Sequence, residues 1–337
     1  MKEVAIPESL NSKRADLGLS ALLEMSRAKV QDMIKNEKIK LVSKAGIENR
    51  DIEKETVSKS YILQTGDIFS VDNTQQDKPK LFADIPILYN DKDIVVVNKP
   101  AGVATHEAKS FQGADVFNSL VESGVLPSIK DSKIVQDKVY NSKIYNDKEY
   151  SDLEDIQPPG IVSRLDVGTS GVLLICKSQL AYDNMLEAFK SHINVVKNYV
   201  AVVQGHLKEK FATIDSPIGR SAKRKFRFAI VESGKRAITH YKVRESYSVG
   251  DLVDIELATG RTHQIRVHFS EMGHPVLGDT FYGASSQTAS DYKLARPFLH
   301  SAKLQIIHPV LNKEMEFSAP LPDDLQMAYK LLSAKEF

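Results

Sequence analysis

Residues 172–176 read Val-Leu-Leu-Ile-Cys without a polar side chain. A short apolar run behind a turn signal reads as an interior strand. The signal here is Gly168, Thr169, Ser170 and Gly171, residue types that break regular structure. Just ahead of that turn stand Arg164, Leu165 and Asp166. A carboxylate so near a core is paired or put to use, because an unpaired charge is costly to bury. The tripeptide alone leaves both open: a structural ion pair or a site.

The 337 residues, 42% of them hydrophobic, suit two domains at about 150 residues each. No apolar run approaches the roughly 18 residues of a membrane helix, and the opening MKEVAIPESLNSK lacks the apolar stretch of a signal peptide. A cytoplasmic location without a membrane partner is expected. The single cysteine, Cys176, excludes an internal disulfide framework and is expected to be a small buried hydrophobe. No Cys or His cluster has metal-ligand spacing, so no zinc site is inferred.

The net charge of +1 conceals an uneven distribution. Residues 219–245 hold nine Lys or Arg against two Glu, a basic strip that is either a solvated face or a grip on a polyanion. Residues 128–158 hold five Lys against seven Asp or Glu.

The chain divides into a small unit at 12–74, a polar linker at 75–83 and a larger domain at 84–325. In the small unit Val30, Met33 and Ile34 form an apolar helical stripe beside Arg27, Gln31 and Lys35. The larger domain opens with a strand at 93–98, broken by the turn Lys99-Pro100-Ala101-Gly102. Residues 128–157 show no period and read as an inserted, partly disordered surface loop with little core. Beyond the apolar run come a helical pattern at 179–190 and an alternating strand with Tyr199 near its start. A further strand at 251–258 leads through Thr259 and Gly260 to a helix that Thr262 can cap and Gly273 can end. Ile265, Phe269 and Met272 make its apolar stripe, while His263 and Arg266, three apart, share another face and could both reach a cleft. RPFLHSAKLQIIHPV reads as the last strand.

The set VVNKPAGV, GIVSRLDVGTSGVLLICKS, KNYVAVVQG, TGRTHQIRVHFSEMGHPVLGD and RPFLHSAKLQIIHP, in this order, resembles the RluA family of RNA pseudouridine synthases over about residues 84–325. The N-terminal unit resembles an S4 RNA-binding domain. The resemblance implies an α+β fold: a mixed, largely antiparallel sheet in the catalytic domain, plus a small α+β S4 domain. It implies an enzyme that needs no cofactor and acts on RNA as a monomer. Large-subunit ribosomal RNA is the first expectation and transfer RNA the second; a rival class is a ribosome-assembly factor that only binds.

By position, Asp166 matches the family's catalytic aspartate, Tyr199 the tyrosine that stacks on the target base, and Arg266 the arginine that pairs with the carboxylate. Arg164 matches the arginine that helps displace the target nucleotide, and Arg261 and His263 are expected RNA contacts. Ser163 stands where the family usually has His. Lys99 and His106 either line the pocket or shape a turn. Lys223, Arg224, Lys225 and Arg227, interleaved with Phe226 and Phe228, become an RNA-gripping strip, and Arg27 and Lys35 an RNA-facing stripe on the small unit. The implied reaction breaks the N1 to C1′ bond, rotates the uracil and rejoins it through C5. It requires an ionised carboxylate, kept so by a nearby cation, and a base flipped out of its stack.

Overall fold

The computed structural model describes residues 2–44, 55–72, 81–107, 111–129, 131–134, 158–221 and 227–334. Among them the chain forms two compact units, 2–72 and 81–334.

The first unit packs α1 (Ala15–Leu22) and α2 (Arg27–Lys35) with an antiparallel sheet of β1 (Lys2–Ala5), β2 (Ile39–Ser43), β3 (Glu55–Thr56) and β4 (Ile68–Val71). Strand order is β1-β4-β2-β3. The Ser26 side chain caps α2 by accepting from the Lys29 amide, and Val30, Met33 and Ile34 are buried as their spacing predicts. The unit starts before residue 12, because β1 pairs with β4 from Lys2 opposite Val71 to Ala5 opposite Ile68. The stripe beside the apolar one is not uniformly a free basic face. Arg27 donates to the buried Asp16 at 2.8 and 2.9 Å, and the Gln31 amide nitrogen donates to it at 2.7 Å. Burial would raise the Asp16 pKa, but hydrogen bonds from Gln31, Arg27 and Arg14 outweigh it and hold it at about 2. Lys35 is exposed.

The second unit is built on one nine-stranded sheet. Its strands are β5 (Ile87–Asn90), β6 (Ile94–Lys99), β7 (Ser170–Cys176), β8 (Val195–Gln204), β9 (Phe211–Asp215), β12 (Ile238–Tyr247), β13 (Gly250–Leu257), β14 (Leu299–Ile307) and β15 (Glu314–Ser318). The order is β5-β6-β7-β14-β8-β13-β12-β9, with β15 also on β14. A separate ribbon pairs β10 (Ile218–Arg220) with β11 (Phe228–Ile230). The expected mixed, largely antiparallel sheet is observed: of its pairings only β7 with β14 is parallel. Helices α3 (Val116–Glu122), α4 (Gln179–Ser191), α5 (Gln264–Glu271), α6 (Ser286–Asp291) and α7 (Asp323–Ala334) complete the unit.

Every residue of β7 is buried, as an unbroken apolar run demands. The strand pairs with β6 from Ile94 opposite Cys176 to Lys99 opposite Gly171. With β14 it pairs only at His300 opposite Ser170 and Ser301 opposite Gly171. Gly171 has φ +114°, and a Cβ there would run into the main-chain carbonyl of Ser301, so only glycine allows this approach. The sheet thus forks just where the Asp166 loop enters it.

Several sequence expectations are corrected here. Helix α5 is buried on more than one stripe: Ile265, Val267, His268 and Phe269 are inside, whereas Met272, beyond its last turn, is 40% exposed. His263, not Thr262, occupies the cap position, with φ 57° and no side-chain cap. Strand β14 is not the last element. Phe317 of β15 and Leu325, Ala328 and Leu332 of α7 are all buried, so the unit runs past residue 325. Ile134, inside the stretch read as an inserted loop, packs with Cys176, Tyr182 and Met185; residues 135–157 lie outside the described ones. Among the described residues no helix is long and apolar enough to cross a membrane.

Leu332→Ala should lower stability by about 2–5 kcal/mol, the usual range for a buried leucine truncated to alanine. Urea unfolding checks this, and a midpoint equal to wild type would place α7 outside the core.

Candidate active site

Asp166 lies in the loop that feeds β7, and the backbone of that loop is held residue by residue. Thr105 Oγ1 accepts from the Leu165 amide at 3.1 Å and donates to the Leu165 carbonyl at 3.0 Å. The Asp166 carbonyl accepts from the Thr169 amide and the Val167 carbonyl from the Gly102 amide. Lys99 Nζ reaches the carbonyls of Val103 at 2.6 Å, Pro100 at 2.9 Å and Val167 at 3.5 Å. Arg296 Nη1 donates to the Gly168 carbonyl at 3.0 Å. A loop with so many fixed carbonyls has few conformations left, which is what a precisely aimed side chain requires.

The Asp166 carboxylate, 22% exposed, accepts from Arg266 Nη1 at 3.1 Å. The same guanidinium grips Asp279, with Nε to Oδ2 at 2.6 Å and Nη2 to Oδ1 at 2.9 Å. Asp279 is 1% exposed. Arg266 therefore bridges two carboxylates from nearly inside the protein, its Cζ 4.9 Å from the Tyr282 ring centroid. Burial would lower the Arg266 pKa, but the hydrogen bond to Asp279 and the charge of Asp166 raise it above its ordinary value. It is a permanent cation there. The Asp279 partner holds its orientation, and the Nη1 edge is left for Asp166.

His263 stands beside this pair, though from the left-handed cap position rather than from a helix face shared with Arg266: Nε2 lies 3.9 Å from Asp166 Oδ2 and Nδ1 2.7 Å from the Tyr282 hydroxyl. Burial lowers its pKa, against the pull of Asp166, which favours the neutral ring. Tyr199 is only 8% exposed and packs in one cluster with Leu165 and Ile265. Burial pushes its pKa up to about 12, a hydrogen bond with Ser301 opposes that, and the Asp166 charge adds to the rise. Arg164 is exposed, and its charge is felt at His263.

The remaining candidates spread further. Arg261 Nε donates to the Arg236 carbonyl at 3.0 Å, and its charge acts on Lys197 and His192. Arg227 lies 4.5 Å over the Phe281 ring, at the rim of the site. Lys223, Arg224 and Lys225, with Phe226, lie outside the described residues. Lys99 shapes the turn: it is fully buried, and burial drags its pKa down to about 7 while Asp166 opposes the shift. His106 is half-buried and does not line the cleft.

The cleft measures about 270 Å³ and is lined by Asp166, Gly168, Thr169, Arg266, Asp279, Thr280, Phe281, Arg296 and Pro297, among others. Sequence reasoning missed Asp279 and Arg296. Arg296 makes a two-pronged pair with Asp324 of α7, at 2.6 and 2.9 Å, while its third nitrogen holds Gly168. Asp279 ends TGRTHQIRVHFSEMGHPVLGD and Arg296 opens RPFLHSAKLQIIHP, but nothing in a linear sequence says which carboxylate a buried arginine meets.

A carboxylate and a permanent cation at one cleft, with an imidazole close behind the carboxylate, suit nucleophilic or acid–base chemistry. The family model described as RNA pseudouridylate synthase matches residues 93–271, a span that contains Asp166, Tyr199, His263 and Arg266. The chain belongs to the RNA pseudouridine synthase family. An uncharacterised RNA pseudouridine synthase of Mycobacterium bovis is 35% identical over 336 residues, 98% of each chain. The ribosomal large subunit pseudouridine synthase D of Zymomonas mobilis is 30% identical over 348 residues, 98% of this chain and 97% of its own. Among solved structures, human RNA pseudouridylate synthase domain containing 1 superposes with a TM-score of 0.51 at 26% identity, over 73% of this chain and 86% of its own. The RluA-type resemblance read from the motifs therefore holds: the chain is an RNA pseudouridine synthase, an isomerase that modifies RNA.

Arg296→Gln should break the link from α7 to the Gly168 carbonyl and slow the chemical step on the order of 100-fold, the penalty of misplacing a reacting group by about 1 Å. Single-turnover pseudouridine formation measures it. A wild-type rate would show that the other loop contacts suffice.

Proposed function

We propose that the chain converts uridine to pseudouridine in large-subunit ribosomal RNA, with Asp166 as the reacting carboxylate. The observation that carries this reading is the bridge Asp166–Arg266–Asp279. Arg266, held in place by Asp279, sets a fixed positive charge 3.1 Å from the Asp166 carboxylate. A carboxylate is a nucleophile that needs no neighbouring base to activate it.

Asp166 attacks the sugar or the uracil ring, and the N1 to C1′ bond breaks. The uracil turns and C5 bonds to C1′; the bond to Asp166 breaks in that same step if it was to C1′, or by elimination as the ring double bond re-forms if it was to the ring. The proton lost from C5 is matched by one gained at N1. Atoms and electrons balance within the nucleotide, so Asp166 is released unchanged. The uracil cannot be attacked while stacked, so it must leave the RNA helix. Arg164, exposed and next to His263, supports that displacement, and Tyr199 supplies an apolar wall beside the flipped base. His263, neutral and bonded to Tyr282, orients the group at the cleft mouth. Arg227 at the Phe281 rim and the basic residues that precede it capture the phosphate backbone. The N-terminal unit, with Lys35 exposed and Arg27 half-exposed, contributes RNA affinity of the S4 kind.

The choice of ribosomal RNA draws on relatives called large subunit pseudouridine synthases, matched along nearly their full length. Mapping pseudouridines in ribosomal and transfer RNA from cells with and without the chain tests the substrate. Loss confined to transfer RNA would move the assignment there. Asp166→Asn should abolish pseudouridine formation while RNA affinity stays within about twofold, because the amide keeps shape but not nucleophilicity. Turnover above a small fraction of wild type would remove Asp166 from the chemistry.

A further inference from the structure

Lys197 is the least expected cation in the second unit. It sits in β8, two residues before Tyr199, and is only 9% exposed. Two residues along a strand share a face and lie about 7 Å apart, so the Lys197 side chain leaves β8 on the Tyr199 side. Its Nζ lies 5.7 Å from the Phe189 ring centroid at the end of α4. On the other side it reaches the turn before α5, where a Cβ on Gly260 would stand 3.8 Å from it.

No carboxylate offsets this charge among the described residues: burial and the neighbouring Arg261 both pull the Lys197 pKa down, to about 8. Two more basic groups converge here. Arg261 commits its Nε to the Arg236 carbonyl. His192, left-handed at the end of α4 with φ 59°, has its pKa lowered by burial and by the charges of Lys197 and Arg261. A buried ammonium with cations for neighbours is a poor stabiliser, since an apolar side chain of similar length would avoid the desolvation cost. Its charge is explained by an anion that arrives from outside.

We propose that Lys197, Arg261 and His192 form a receptor for one backbone phosphate of the substrate RNA, adjacent to the flipped uridine. This rests on the pseudouridine synthase reading and adds to it a fixed anchor point. RNA is a polyanion, and lysine meets phosphate as a point charge. The position fits: the receptor shares a strand face with Tyr199, so a sugar-phosphate unit can join it to the cleft. One anchored phosphate would set which nucleotide of a loop reaches Asp166.

The test compares wild type, Lys197→Met and Arg261→Gln on a defined transcript of large-subunit ribosomal RNA across a salt series. Lys197→Met should bind about tenfold more weakly at low salt, with the slope of log affinity against log salt reduced by about 0.7. KM should rise more than kcat falls, and the melting temperature should equal or exceed that of wild type. Arg261→Gln, at a partly exposed position that folding tolerates, should change affinity and slope in the same direction. Wild-type slopes in both variants, with Lys197→Met lowered in melting temperature, would make the lysine structural and overturn the proposal. Inorganic phosphate that stabilises wild type but not Lys197→Met, with RNA slopes unchanged, would reassign the pocket to a small free anion. A wild-type chain that neither binds nor modifies the RNA overturns the parent reading along with this one. Modification by wild type with unchanged variant slopes overturns this one alone.

Discussion

Arg266 between Asp166 and Asp279 is the interaction on which the rest of the site depends. One guanidinium serves two carboxylates, and the division is unequal. Asp279, almost fully buried, takes two nitrogens, while Asp166 at the cleft takes one. The inner pair fixes the geometry, and the outer contact holds the Asp166 carboxylate against a fixed cation. If Asp166 becomes covalently bonded and loses its charge, Arg266 still has Asp279 as a full partner. The site then passes through the reaction without a stranded buried cation, and preorganisation of this kind is where enzymes gain most of their electrostatic advantage.

The helix that carries Arg266 is suited to this task because its surroundings immobilise it. The Gln264 side chain accepts from the Arg261 amide and from Thr259 Oγ1, closing the turn into α5. His268 is bound on both ring nitrogens, to Thr239 and to the Ser216 carbonyl. Polar residues inside a helix interface are tolerable only when each is satisfied, and here they are what fixes the helix rotation. The opposite wall is held in the same way, by Lys99, Thr105 and Arg296 acting on main-chain carbonyls. Most of these groups touch no reacting atom, yet they set where Asp166 points.

Much of this was legible in the sequence, for reasons that differ by residue. The apolar run 172–176 could hardly be anything but an interior strand, and Val30, Met33 and Ile34 could be placed because a surface helix buries one stripe. Asp166 and Arg266 could be grouped because the motif order resembles a known family, whereas His263 comes beside them from a left-handed cap position that a helical spacing does not describe. What stayed hidden was long-range pairing. Arg296 and Asp324 are separated along the chain and meet only after α7 packs, and Asp279 resembles any turn aspartate. Lys197 sits in an alternating strand where a lysine normally points to solvent; only the helices folded over it show that it is inside. Met272 failed for the opposite reason, since periodicity continued on paper past the point where the helix ends. Strand β1 is too short and too charged to show a pattern, and its partner β4 lies far along the chain.

The fork between β7 and β14 has a consequence for how this scaffold can vary. Because the two strands touch for only two residues, at a glycine with no room for a side chain, their junction is made by close approach of main chain. A side chain at position 171 would drive β14 away from β7, so the scaffold can vary on either side of this joint but not at it. The Asp166 loop enters the sheet at the same joint, and its aim is thereby tied to a position that tolerates no side chain.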